Sequence, residues 1–215
     1  MNITFIAPPA AGKGTLGLKV SQKYGIPHIS TGDLLRSSED ERIKRFLDEG
    51  KFVDDSLIAE LTEKRLSEAD CDNGFVLDGF PRNLKQAIMY DELLERLNKD
   101  KGIAIVIDLD KDIAAKRILG RRICPDCGAV YNVHFDAMKP KVLGVCDNCN
   151  GKLTSRIDDN IETFENRYQV YMNETYPLIK YYEDKDMAYH IEALDDANDT
   201  FNQIVDLLGG LYDNN

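Results

Sequence analysis

Apolar residues in this chain fall into short continuous runs separated by longer amphipathic stretches. Residues 2–7 form a β-branched and aromatic run that predicts a strand. Leu16, Leu18 and Val20 then enter a helix expected to close near Tyr24-Gly25. Residues 26–29 predict a short second strand, and Ser30-Thr31-Gly32-Asp33 a helix start capped by Ser30 or Thr31. Charged helical segments follow over 39–49 and 55–67. The run Phe75-Val76-Leu77-Asp78 is a strand ending in a carboxylate. Residues 84–98 have helical periodicity, 103–107 read as a strand buried on both faces, and 112–120 as a helix. Residues 158–182 predict a long polar helix kinked or broken by Pro177. A last strand at 188–191 and a helix at 198–208, stopped by Gly209-Gly210, close the chain. Alternating strands and helices imply an α/β fold with a parallel sheet covered on both faces.

Between Arg121 and about Arg156 the texture changes to glycines, prolines, cysteines and short alternating runs, the pattern of an insert. The 215 residues are 43% hydrophobic and 30% charged, which excludes disordered and fibrous classes. Lys+Arg total 27 against Asp+Glu 38, a net charge of -11, so a broad nucleic-acid surface is not expected. An anionic substrate would need a local cation cluster working against the overall field. The start lacks a basic region and its apolar run ends at Pro8-Pro9, so no signal peptide, no membrane span and a cytosolic location are the expectation.

The strongest local signal is Gly12-Lys13-Gly14-Thr15 between a strand and a helix. Backbone amides there can cradle phosphate oxygens at a helix N-terminus. Lys13 adds charge to the terminal phosphates, and Thr15 offers a hydroxyl near Mg2+. The strict motif has glycine five residues before Gly12, where this chain has Ala7. Asp78 and Asp108 both end apolar strands and compete as partners for a hydrated Mg2+. Asp78 is preferred, because Gly79-Phe80-Pro81-Arg82 turns a guanidinium into the same crevice.

Four of five cysteines form Cys124-x-x-Cys127 and Cys146-x-x-Cys149, with 18 residues between the pairs. That spacing fits a structural Zn2+ closed by four thiolates. Gly128 and Asn148 sit where such knuckles want permissive backbone. Cys71 reads as a packed thiol, and His28, His134 and His190 as structural residues.

In this order, the motifs make the chain resemble the nucleoside monophosphate kinases, and within them the bacterial adenylate kinases with a long zinc-bearing lid. The resemblance rests on Gly12-Lys13-Gly14-Thr15, Ser30-Thr31-Gly32-Asp33-Leu34-Leu35-Arg36, Asp78-Gly79-Phe80-Pro81-Arg82 and Gln86. It rests also on Arg117-Ile118-Leu119-Gly120-Arg121-Arg122, the four cysteines, and Arg156-x-Asp158-Asp159 with Arg167. It implies reversible transfer of a phosphoryl group from Mg-ATP to AMP, giving two ADP. By resemblance, Ala10, Ala11, Gly12, Lys13, Gly14, Thr15, Arg117 and Arg121 bind ATP, with Arg117 stacked on its adenine. Thr31, Arg36, Gly79, Arg82, Gln86, Arg156 and Arg167 meet AMP, and Thr15 and Asp78 the magnesium. Lys13, Arg82, Arg121, Arg156 and Arg167 would serve the transferring phosphate, with Asp158 and Asp159 orienting arginines. The resemblance also implies a cytoplasmic monomer with nucleotide partners only. It divides the chain into a core (1–29, 54–120, 158–215), an AMP-binding insert (30–53) and a lid (121–157).

Three departures from the family pattern stand out. Ala7 and Ala10 replace glycines, the segment between Arg36 and Gly50 is shortened, and Asn83 stands where adenylate kinases more often have Thr. Two alternatives follow: a UMP/CMP-type kinase, suggested by Asn83, and a catalytically weak nucleotide-binding protein with a zinc-ribbon interaction module.

Overall fold

The apolar runs become strands of one sheet, and the amphipathic stretches between them become the helices that cover it. The computed structural model describes residues 1–49, 53–156 and 158–212. In chain order the elements are β1 (Asn2–Ile6), α1 (Lys13–Tyr24), β2 (His28–Ser30), α2 (Thr31–Ser37), α3 (Glu41–Asp48), α4 (Asp55–Leu66), β3 (Phe75–Asp78) and α5 (Leu84–Arg96). They continue as β4 (Ile103–Asp108), α6 (Lys111–Gly120), β5 (Arg121–Ile123), β6 (Val130–Asn132), α7 (Ile161–Val170), α8 (Tyr176–Glu183), β7 (Ala188–Glu192) and α9 (Ala197–Tyr212).

Five strands pair in parallel in the order β2–β3–β1–β4–β7. Ile3 of β1 lies in register with Val76 on one side and Ile103 on the other. The continuous apolar run of β4 is buried on both faces, as a central parallel strand requires. Its Ile105 and Ile107 pack with Leu16 and Val20 of α1 and Ile204 and Leu208 of α9. Its Ala104 and Val106 pack on the other face with Ala87 of α5 and Leu178, Ile179 and Tyr182 of α8. Among the described residues no helix is long and apolar enough to cross a membrane.

Residues 121–156 stand apart from this sheet, as their composition predicts. β5 and β6 pair antiparallel, and Ile123 bridges to Thr154 and Val145 to Lys152. A small cluster of Cys124, Tyr131, Cys146 and Leu153 is the segment's own core. Of the expected domain segments, residues 50–52 of the 30–53 insert, residue 157 of the 121–157 segment and residues 213–215 lie outside the described residues.

Three expectations need correction. The second strand is displaced to His28–Ser30. Pro27 has no N–H for the ladder, and only its carbonyl takes part, accepting from Val76 N–H at 2.8 Å. The long helix expected over 158–182 begins at Ile161, because Asn160 Oδ1 caps it by accepting from Thr163 N–H at 2.9 Å. It then divides around a π turn, Tyr171–Thr175, before α8 restarts with Pro177 in its first turn. The last helix runs through Gly209 and Gly210 to Tyr212. Two helical glycines cost about 2 kcal/mol relative to alanine. The apolar stripe of Ile204, Leu208 and Tyr212 against the α1 face of the core outweighs that cost.

Candidate active site

β1, β2 and β3 end at one edge of the sheet, and the chain turns there three times into a helix. After β1 the loop passes through Ala10 at φ 67 and Gly12 at φ 81, and α1 starts at Lys13. Two left-handed residues in three positions wrap the loop over the head of the helix, where the first amides have no intrahelical partner. Ala10 occupies the strained backbone. Ala7, a second departure from the glycine pattern, is buried and is not among the described residues with positive φ. Of the two alanines that replace glycines, only Ala10 takes the left-handed backbone a glycine would favour. Ala11 is buried beneath the loop and Thr15 is exposed on the first turn of α1.

Lys13 Nζ lies 3.1 Å from Asp78 Oδ1, at the end of β3. A Cβ added at Gly14 would lie 3.6 Å from Asp78 Oδ2, so the loop backbone passes close to this carboxylate. His28 approaches from β2, its Nε2 3.8 Å from Asp78 Oδ2 and otherwise unpartnered. Burial opposes ionisation of Asp78, but the His28 ring and the Lys13 ammonium outweigh it and hold the carboxyl at about 2. Asp108, the competing strand end, is paired instead with His190 at 2.8 Å.

Ser30 accepts from Asp33 N–H at 3.3 Å and so caps α2, the first of the two caps the sequence allows. Thr31, buried, donates its hydroxyl to the Asp78 carbonyl at 3.3 Å. Gly79 is left-handed at φ 92, and a Cβ there would meet Thr31 Oγ1 at 2.7 Å. Glycine is therefore required on both counts. Arg82 Nε donates to the Gly79 carbonyl at 2.7 Å, and Arg82 N–H donates to Gln86 Oε1 at 2.7 Å. Gln86 Nε2 in turn donates to Asp55 Oδ1 at 2.7 Å. Because Asp55 can only accept and the Arg82 amide can only donate, the orientation of this buried carboxamide is fixed.

The other arginines are held by carboxylates or carbonyls at the margins. Arg121 Nε donates to Asp159 Oδ2 at 2.9 Å and its Nη2 bonds the other oxygen, a bidentate pair in which the Asp159 side chain is only 1% exposed. Arg167 Nη1 donates to Asp158 Oδ2 at 3.3 Å. The pKa of Arg82 is lowered chiefly by desolvation, with the Asp78 charge pulling it upward and the Arg167 charge lowering it further. Arg117 donates to the Leu194 carbonyl at 2.6 Å and lies 5.7 Å from the Phe135 ring centre. Arg36 is paired with Asp33 at 2.5 Å, and Arg156 is exposed. Lys13, Thr31, Asp78, Gly79, Arg82 and Gln86 thus share one neighbourhood; Arg36 is paired within α2, Arg121 and Arg167 with the adjacent carboxylates Asp159 and Asp158, and Arg117 with the Leu194 carbonyl.

The four cysteine sulfurs all lie within 4.8 Å of one another. Cys124 and Cys149 Sγ are 3.4 Å apart, and Cys127 and Cys146 Sγ 3.5 Å. A zinc tetrahedron with bonds of about 2.3 Å has sulfur–sulfur edges of about 3.8 Å, so this donor set fits zinc. The two knuckles repeat one geometry. Gly128 N–H bonds the Cys124 carbonyl and Asn150 N–H the Cys146 carbonyl, both at 2.9 Å. The residue after each second cysteine is left-handed, Gly128 at φ 74 and Asn150 at φ 61. The permissive residue of the second knuckle is therefore Asn150, not Asn148. The Tyr131 hydroxyl, 3.5 Å from Cys146 Sγ, helps pull that thiol down to about 6, with backbone amides of Asn148 and Cys149 adding to it.

His28 reads from the sequence as a structural residue and Asp55 carries no signal, yet the fold sets them beside Asp78 and Gln86. Both act across strands or helices distant in sequence, and no local pattern signals either contact.

A family model described as adenylate kinase matches residues 5–187. The chain is 42% identical over 217 residues to an adenylate kinase of Clostridium tetani, covering 98% of this chain and 100% of the relative. It is 43% identical to one from Geobacillus sp., over 98% of this chain and 100% of that one. A Bacillus subtilis adenylate kinase is 41% identical, with 98% and 99% covered.

Proposed function

The chain belongs to the adenylate kinase family, and on that premise we propose that it transfers the terminal phosphoryl group of Mg-ATP to AMP, reversibly, giving two ADP. An AMP phosphate oxygen forms the new bond to phosphorus as the bond to the ADP leaving oxygen breaks. The observation that carries the reading is the convergence of Lys13, Asp78 and Arg82 at the sheet edge, 3.1 Å separating the first two.

Phosphoryl transfer asks mainly for in-line placement, exclusion of water and neutralisation of charge. In our reading the amides of residues 10–15 and Lys13 hold the ATP phosphates. Arg36 and Arg82 hold the AMP phosphate, with Thr31, Gly79 and Gln86 lining the AMP side. Arg121, Arg156 and Arg167 close on the transferring group, and Arg117 lies along the ATP base. Asp159 and Asp158 aim Arg121 and Arg167, consistent with their ion pairs. Each Arg–Asp pair keeps a guanidinium oriented in a protein of net charge -11 until phosphate competes for it.

Thr15 and Asp78 would face the magnesium carried by ATP, and the passage of Gly14 beside Asp78 suits that role. Bound Mg2+ supplies charge neutralisation on the phosphate oxygens. Cys124, Cys127, Cys146 and Cys149 would hold a structural zinc that cross-links the lid and leaves no position open for substrate. The division into core (1–29, 54–120, 158–215), AMP-binding insert (30–53) and lid (121–157), a monomeric state and a cytoplasmic location belong to the same proposal. Neither a UMP/CMP kinase nor a weak binding protein is favoured by relatives at 41–43% identity across nearly the whole chain. Chromatographic stoichiometry tests the reading: two ADP should form for each AMP consumed, and AMP consumption without ADP would contradict it.

A further inference from the structure

We infer that Thr175 is a positioning residue for Arg82, holding the arginine's main chain from the helix that carries Arg167. This rests on the phosphotransfer reading, in which Arg82 grips the AMP phosphate. Arg82 is fixed at three points. Its N–H donates to Gln86 Oε1 and its Nε to the Gly79 carbonyl, both at 2.7 Å and both from within four residues. Its carbonyl accepts from Thr175 Oγ1 at 2.8 Å, across 93 residues of sequence. The first two contacts shape the turn locally. The third sets where that turn stands relative to another segment.

The reason Thr175 can reach the turn lies in the residues around it. Pro177 lacks an N–H and its ring clashes with the carbonyl four residues earlier in a regular helix. The chain answers with the π turn Tyr171–Thr175, in which Tyr176 N–H bonds the Tyr171 carbonyl five residues back. A helical threonine ordinarily bonds a carbonyl of its own preceding turn. In this widened turn the Thr175 hydroxyl is directed outward to Arg82 instead. Such π turns recur at functional sites. Arg167 lies on α7, which leads directly into this turn. One helical segment thereby bears on both arginines, and the charge of Arg167 is felt at Arg82.

A neutral hydroxyl–carbonyl bond contributes about 1 kcal/mol, or about fivefold. The test is steady-state kinetics of Thr175→Val, Thr175→Ser, Arg82→Lys and the Arg82→Lys/Thr175→Val double variant, varying AMP and ATP separately, with melting curves for each. Thr175→Val should lower kcat/KM for AMP about three- to tenfold, leave that for ATP within twofold, and be largely restored by Thr175→Ser. In the Arg82→Lys background the same change should have little further effect, because its action passes through Arg82. Unchanged AMP kinetics, an equal loss toward both substrates, or full additivity with Arg82→Lys overturns the inference. Absence of ADP formation by the unmodified protein would instead overturn the phosphotransfer reading.

Discussion

Lys13 and Asp78 form an ion pair, Nζ to Oδ1 at 3.1 Å, between the head of α1 and the end of β3. The pair ties the helix that follows β1 to the end of the neighbouring strand β3, and in the proposed reaction it stands beside the ATP phosphates. Asp78 thus holds Lys13 in the crevice. On substrate binding the lysine would exchange one anion for another, at little cost in reorganisation.

The charge of Lys13 and of Arg121 should matter chiefly in the transition state. Lys13→Met or Arg121→Ala is expected to lower kcat by about two orders of magnitude, the scale of losing a preorganised donor. Rapid-quench or coupled kinetics would show this, and near-wild-type turnover in both variants would remove them from the reaction.

Acid should weaken the same crevice. Asp78 is ionised in the fold down to about pH 2, against an ordinary value of 3.8. A depressed carboxyl stabilises the fold above its unfolded pKa, and that contribution disappears as pH falls through the folded pKa. About 2 kcal/mol should therefore be lost between roughly pH 4 and pH 2. Denaturant titrations at stepped pH should show a shallower acid decline in Asp78→Asn, and identical declines would contradict the assignment.

The two loop alanines should respond oppositely to glycine. At Ala10, φ 67, a Cβ costs about 1–2 kcal/mol. Glycine's extra freedom when unfolded costs only about 0.4–1 kcal/mol, so relief of strain wins. Ala10→Gly should raise stability by about 0.5–1 kcal/mol and leave ATP binding equal or tighter. Ala7 is buried and carries no such strain, so Ala7→Gly should be destabilising. Melting curves and ATP titration of the two variants decide this. Weaker ATP binding by Ala10→Gly would mean the loop is adapted to alanine.

Much of this site was legible because each of its parts is a short contiguous motif, such as Gly12-Lys13-Gly14-Thr15 and Asp78-Gly79-Phe80-Pro81-Arg82. β3 occupies Phe75–Asp78 as its apolar run ends, and the cysteine spacing anticipates the four-sulfur cluster. What escaped depends on partners far apart. The contacts His28–Asp78, Asp55–Gln86 and His190–Asp108 join segments 31 to 82 residues distant. The helix through Gly209-Gly210 escaped because packing against α1 overrides a local stop signal. The second left-handed knuckle position is Asn150, which follows Cys149 directly as Gly128 follows Cys127.

Metal removal should separate the stability of the four-cysteine segment from catalysis. The segment's core is four residues, Cys124, Tyr131, Cys146 and Leu153, two of them cysteines. A core that small ordinarily needs a metal or disulfide staple. The untreated protein should carry about one equivalent of zinc by mass spectrometry. Chelation should lower the melting of this segment and spare the parallel sheet, with activity kept at low temperature and lost earlier on heating. Cys146→Ser should act in the same direction. Absence of any metal would refute the site, and full inactivation of a folded metal-free protein would place the metal in the chemistry.

The most direct test of the whole account is a coupled assay of ADP formation from Mg-ATP with AMP, CMP, UMP and GMP in turn. The account predicts that AMP has by far the highest kcat/KM, and that the Arg82→Lys variant loses most of it. A higher kcat/KM with CMP or UMP, or no turnover with any of the four, would contradict it.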